Sequence, residues 1–179
     1  MKWAYSYLVE IQFLGFRFHG WQKQTNSMSL HEMMDKMLGF VLGKGIFKSL
    51  GMGRTDAKVS ANRYYFQLFL NETINEELFL KAFNKNASQD LKAVKISIVS
   101  TDFNIIQSAK IKEYHYYFSF GTKNHPYSAP FLVGVLDDLD IEATFSAIRR
   151  QSTFGWDSSG LRAACLRCCF ENVIFEPGG

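Results

Sequence analysis

The feature that most constrains this chain is a strict alternation of side-chain character. Tyr5, Tyr7, Val9, Ile11 and Phe13 alternate with Ser6, Leu8, Glu10 and Gln12. Successive side chains of a strand point to opposite faces, so this pattern specifies a strand with one buried face. Tyr64, Phe66, Leu68 and Leu70 repeat it, followed by Val94, Ile96 and Ile98, and then by Tyr114, Tyr116, Phe118 and Phe120. The short apolar run from Ile46 to Met52 reads as one more strand. Helical spacing appears between these segments. Ser29 and Glu32 form a capping box ahead of Met33, Met34, Met37, Leu38 and Val41, and Gly43 and Gly45 end that helix. Thr73 is expected to cap a second helix, with Glu76 and Glu77 in its first turn and Leu78, Phe79, Ala82 and Phe83 on its apolar face. Residues 14–26 read as a long loop. A last short helix is expected from Asp138 or Asp140 to Ile148.

The order strand, helix, strand, strand, helix, strand, strand predicts a ferredoxin-like α+β fold: an antiparallel sheet with two helices on one face. The other face is left open. Its aromatic residues suit it to stacking on bases, but the high apolar content favours packing against a second domain or protomer.

With 47% apolar and 21% charged residues the chain has the composition of a folded domain. No apolar run approaches the ~20 residues of a membrane helix. The start MKWAYSYLVE lacks an apolar core with a cleavage site, so no secretion signal is read and the expected compartment is the cytoplasm. Residues 1–60 hold eight Lys/Arg against four Asp/Glu, within a net charge of +3. This basic end permits a polyanionic partner without requiring one.

Composition breaks near residue 148. Thirteen Lys, three Arg and no Cys precede it; four Arg, three Cys and no Lys follow. We read residues 148–179 as a tail of separate origin: a linker, a fused segment or a translated frame shift. Cys165, Cys168 and Cys169 lie in this tail without a fourth ligand at metal-site spacing, so no metal is expected there.

No P-loop, dinucleotide fingerprint or nucleophile elbow is present. Three segments carry chemistry. Gly53-Arg54-Thr55-Asp56-Ala57 is a loop between two strands that holds a carboxylate two residues from a guanidinium, which can pair with it or with a phosphate. Alone, such a loop reads as an ordinary turn. Phe18-His19-Gly20-Trp21-Gln22-Lys23-Gln24 mixes aromatics, amides and a cation, as base stacking and phosphate contact require. Alone, it reads as a surface loop with its Trp folded back on the core. Tyr114-His115-Tyr116 lies on a late strand, where an aromatic pair ordinarily fills a core.

Together and in this order, with Phe103 and Ser108-Ala109 before the last, the three motifs resemble the tRNA pseudouridine synthases of the TruA type. The resemblance covers residues 5–147. It implies isomerisation of uridine to pseudouridine in the anticodon arm of tRNA, without cofactor or metal, by a homodimer. Asp56 matches the catalytic aspartate that attacks a flipped-out nucleoside, at ribose C1′ or uracil C6. Arg54 matches an arginine that enters the vacated space and pairs with that carboxylate, and Tyr114 matches a tyrosine that stacks on the target uracil. Trp21, Gln22 and Lys23 fall among the substrate contacts. On this basis residues 1–110 form the catalytic lobe and 111–147 start a second. The family usually continues G-R-T-D-A with Gly-Val-His; here Lys58, Val59 and Ser60 follow. Asn104 and Ile106 stand where a His and an Arg are usual, and Lys112-Glu113 where a basic pair is usual. The alternative readings are a non-catalytic RNA-binding module and a dimerisation module.

Overall fold

The computed structural model describes residues 3–43, 47–108, 111–115, 117–137, 140, 143 and 170–174; the side chains of 111–114 and 170–174 are not among those described. It divides into two units, Met1–Tyr114 with Phe170–Gly179, and His115–Cys169.

In the first unit the alternating segments become strands. β1 (Tyr5–Phe13) lies between β3 (Ser60–Leu70) and β4 (Leu91–Val99), antiparallel to both. β2 (Lys48–Gly51) pairs antiparallel with the far end of β3. The resulting order β4-β1-β3-β2, with a helix after β1 and another after β3, is the ferredoxin-like arrangement expected. A strand at Phe170–Ile174 runs parallel to the start of β3.

Register explains the burial. Val9 opposes Phe66 and Ile96, and Ile11 opposes Tyr64 and Ala93, so apolar side chains from three strands meet on one face. The helices cover that face. α1 (Leu30–Val41) buries Leu30, Met34, Met37 and Leu38, and α2 (Glu76–Asn86) buries Phe79 and Phe83. Each set follows one helical stripe, which is why these segments fold as helices against the sheet. The Ser29 side chain accepts from Glu32 N–H, while Glu32 Oε1 reaches Lys36 Nζ at 2.7 Å rather than closing the box. α2 is capped by Asn75, whose Oδ1 accepts from Leu78 N–H at 2.9 Å, not by Thr73; Leu78 is 63% exposed and leaves the apolar face.

The second face is less open than its sequence suggests. Gln67 is fully buried there: its Nε2 donates to Ser6 Oγ and to Phe103 O, both at 2.8 Å, and its Oε1 accepts from Ile105 N–H at 3.2 Å. These bonds lay α3 (Ile105–Ser108) across the sheet. Elsewhere on this face Phe69 packs near Trp3, and Lys48 Nζ sits 5.5 Å from the Phe69 ring. Tyr65 O–H donates to Glu10 at 3.1 Å; burial and that carboxylate push the phenol pKa up to about 12.

The alternation at 114–120 breaks into two strands, β5 (Ile111–His115) and β6 (Phe118–Phe120). In the second unit β6 pairs with β7 (Val133–Val135), in parallel, and His125 caps a 3-10 turn at Pro126–Ser128. The expected helix ending at Ile148 lies outside the described residues, apart from Ala143 N–H donating to Asp140 Oδ1 at 2.9 Å. The three cysteines also lie outside them. Among the described residues no helix is long and apolar enough to cross a membrane.

Candidate active site

Two loops at one end of the sheet, 14–21 and 53–59, are more than thirty residues apart in sequence and form one structure. Main-chain bonds join them directly. Trp21 N–H donates to Thr55 O at 3.3 Å, and Lys58 N–H to Phe18 O at 3.0 Å. Gly15 N–H donates to the buried Ser60 Oγ at 2.9 Å. A close approach occurs at Gly20, whose φ is +87°; a Cβ there would stand 2.3 Å from Thr55 O and 3.3 Å from the Asp56 carbonyl carbon. Glycine is the residue that takes this left-handed backbone and this proximity without cost.

The same segment fixes the start of α1. Leu30 N–H donates to Gly20 O and His31 N–H to Trp21 O, each at 3.0 Å. Two of the helix's unpaired amide donors are therefore satisfied by the loop that seats Asp56. On the other side Tyr64 O–H donates to Gly53 O at 2.6 Å, and Val59 N–H to Asp56 O at 3.3 Å closes the turn. The loop that carries Asp56 is thereby tied to β3, to itself and to the 14–21 segment.

Asp56 is exposed, and Arg54 projects from the same loop. Among the described residues neither side chain makes an ion pair or hydrogen bond. Among the described residues Thr55 Oγ1, between them, is buried and has no hydrogen-bond partner. A groove of about 560 Å³ lies beside the start of α1, lined by Met28, Glu32, Met33 and Lys36 among others; Asp56 is not part of its wall.

The remaining expected contacts separate into two groups. Trp21 is 3% exposed, its ring 4.3 Å from Tyr64 and stacked 5.1 Å from His31. The ring packs against Phe13, Tyr64 and His31, and so ties the loop to the sheet and to α1. Gln22 is exposed. Lys23 is half exposed and ion-paired with Asp35, so a phosphate would have to compete with that carboxylate. Asp35 also accepts from Ser49 O–H, and His31 Nε2 lies 2.7 Å from Ser49 Oγ. Burial lowers the His31 pKa, Asp35 opposing this and Lys23 adding to it. Tyr114 lies on β5, and its side chain is outside those described.

Two residues matter here beyond what their place in the sequence signals. Gly20 is one member of a motif, and Tyr64 one position of an alternating strand. A glycine beside a Trp in a loop signals a tight approach, but not the loop it approaches. Ser60 occupies the position where the family usually has His, and its buried hydroxyl joins the two loops rather than facing solvent.

No family model matches the chain. It is similar to the curated tRNA pseudouridine synthase A of Mycoplasma mycoides subsp. mycoides SC, 34% identical over 110 residues, which are 62% of this chain and 43% of that protein. It is 33% identical to that of Mycoplasma capricolum subsp. capricolum over 110 residues, 62% of this chain and 44% of the relative. With that of Aquifex aeolicus it shares 29% identity over 145 residues, 81% and 60%. The chain spans about half the length of the curated relatives it matches. These similarities accord with the resemblance carried by the motifs.

Proposed function

We propose that this chain belongs to the machinery that isomerises uridine to pseudouridine in the anticodon arm of tRNA, with Asp56 as nucleophile. The observation that carries the reading is the union of the two loops, which leaves an exposed carboxylate on a main chain that cannot readily move. A nucleophile must be an anion and must be held in place to gain from proximity.

In this mechanism an everted uridine approaches Asp56. Attack at C1′ breaks the N1–C1′ bond and leaves a ribosyl ester with free uracil anion; attack at C6 instead gives an adduct from which the same bond is broken. In either route the base turns and C5 bonds to C1′: from the ribosyl ester this displaces Asp56 from C1′ directly, whereas from the C6 adduct Asp56 leaves C6 afterwards, as C5 gives up its proton. In both, C5 loses its proton to solvent and N1 gains one. In this reading Arg54 fills the space the base vacates, which offsets part of the unstacking cost of a few kcal/mol. The Arg54–Asp56 pair then forms only once the base has left the stack. No metal or cofactor is called for by this sequence of bonds. A homodimeric assembly and a cytoplasmic location belong to the same reading.

The test is tritium release from [5-³H]uridine-labelled tRNA with the 179-residue chain in excess. Turnover by this chain, which spans about half the length of the curated relatives it matches, is expected to be slow. Release above the protein-free blank, abolished in Asp56→Ala, supports the reading. Binding of tRNA with no release, or release unchanged in Asp56→Ala, refutes it and leaves the non-catalytic RNA-binding module.

A further inference from the structure

We propose that Lys58 is a second binding residue of this site, a cation that contacts an RNA phosphate beside the nucleoside presented to Asp56. The proposal rests on the reading of the Asp56 loop as an RNA site, and its test separates the two.

The first observation is the backbone. Lys58 has φ +68° and is, with Asn26, one of two non-glycine residues at positive φ among those described. That conformation is unfavourable for a residue with a Cβ, and lysine lacks the short polar side chain that lets asparagine offset it locally. Strain of this kind persists where the surroundings over-determine it, and it gathers at binding and catalytic sites. Two main-chain bonds impose it: Lys58 N–H donates to Phe18 O at 3.0 Å, and the turn from Asp56 to Val59 is closed at 3.3 Å. A glycine would adopt this backbone freely. The chain carries a four-carbon ammonium there instead.

The second observation is the surroundings of that side chain. It is exposed, and among the described residues it makes no ion pair or hydrogen bond. Three cations at these loops are engaged: Arg17 with Asp90, Lys23 with Asp35, Arg63 with Glu10. Within the 53–59 loop the cations are Arg54 and Lys58, two residues on either side of Asp56, and among the described residues neither makes an ion pair or hydrogen bond. At ~3.3–3.6 Å per residue the Lys58 Cα lies within about 7 Å of that of Asp56. An uncommitted ammonium at that range suits a phosphodiester one nucleotide from the reacting one, bound as a point charge. Within residues 51–60 Asp56 is the sole acidic side chain, so nothing else in the loop competes for it.

The experiment is a fluorescence-anisotropy titration of end-labelled, unmodified tRNA with the full chain at 50–200 mM KCl, for wild type and for Lys58→Gln, Lys58→Gly, Lys58→Arg and Asp56→Asn. One lost phosphate contact lowers the slope of log K against log salt by about 0.7–0.9, equivalent to roughly a threefold change in the wild-type to variant affinity ratio between these limits. Lys58→Gln and Lys58→Gly are expected to show that reduced slope, Lys58→Arg and Asp56→Asn the wild-type slope. Lys58→Gly is also expected to melt no lower than wild type, which excludes misfolding as the cause. Wild-type slopes in the Gln and Gly variants overturn the proposal, as does weaker binding at an unchanged slope. If Asp56→Asn keeps isomerase activity while Lys58→Gln still loses slope, the catalytic reading fails and the phosphate contact stands.

Discussion

Replacing Gly20 with alanine tests whether the two loops are one structure. The added Cβ would lie 2.3 Å from Thr55 O, inside any permitted contact, on a residue at φ +87°. The left-handed backbone costs about 1–2 kcal/mol, less about 0.4–1 kcal/mol returned by a stiffer unfolded chain. Relieving the overlap costs a further ~1–3 kcal/mol, because backbone rather than a flexible side-chain end must shift. The sum lies between about 1 and 5 kcal/mol, centred near 3. At ~2–4 °C per kcal/mol for a chain of this size, the central value lowers the thermal midpoint by about 6–12 °C. Gly43→Ala is the control. Gly43 has φ +72°, but a Cβ there would meet no atom within 4 Å, so only the conformational part, about 1 kcal/mol, applies. Function should separate the two more sharply. A displacement of about 1 Å at the nucleophile costs on the order of a hundredfold in rate, so tritium release measured well below both midpoints should collapse in Gly20→Ala and persist in Gly43→Ala. Equal midpoints in the two variants, or wild-type release from Gly20→Ala, would refute the inference that Gly20 seats Asp56.

Other outcomes follow from the same packing. Gln67→Leu strands Ile105 N–H and Phe103 O beneath α3, at about 1–3 kcal/mol per buried group, and denaturant titration should show a loss of at least about 2 kcal/mol. Asn75→Ala should cost about 1 kcal/mol by the same titration and Thr73→Ala close to nothing, since Asn75 is the residue that caps α2. His31 is neutral in the fold because burial lowers its pKa; the unfolded chain takes up the proton first, so stability is full above about pH 6.5 and declines as pH falls below it. His31→Phe should flatten the dependence of the thermal midpoint on pH between about pH 7 and pH 5, and an unaltered profile would contradict that assignment.

The strands were legible because burying one face forces period two: β1 runs from Tyr5 to Phe13, as its alternation states. α1 was legible because Ser29 and the stripe through Met34, Met37 and Leu38 satisfy local rules within a dozen residues, although Leu30, which the helix also buries, was not read as part of that stripe. What escaped reading is non-local. Trp21 is buried by Tyr64 and His31, and Gly20 matters because of Thr55, partners fixed by the fold rather than by spacing. Gln67 reads as a polar interruption of an apolar strand until Phe103 and Ile105 arrive above it. Lys58 looks like an ordinary surface lysine, since a left-handed φ on a non-glycine leaves no mark in composition. The motifs at 18–24 and 53–57 carried the family resemblance, but their contact with each other is a property of the folded chain alone.

The most direct measurement is position-by-position mapping of pseudouridine in unmodified tRNA, by carbodiimide labelling and primer extension, after incubation with wild type or Asp56→Asn at matched thermal midpoints. A stop in the anticodon arm with wild type that vanishes with Asp56→Asn is the expected result. The same stop from both proteins would show that the carboxylate at position 56 does not perform the reaction.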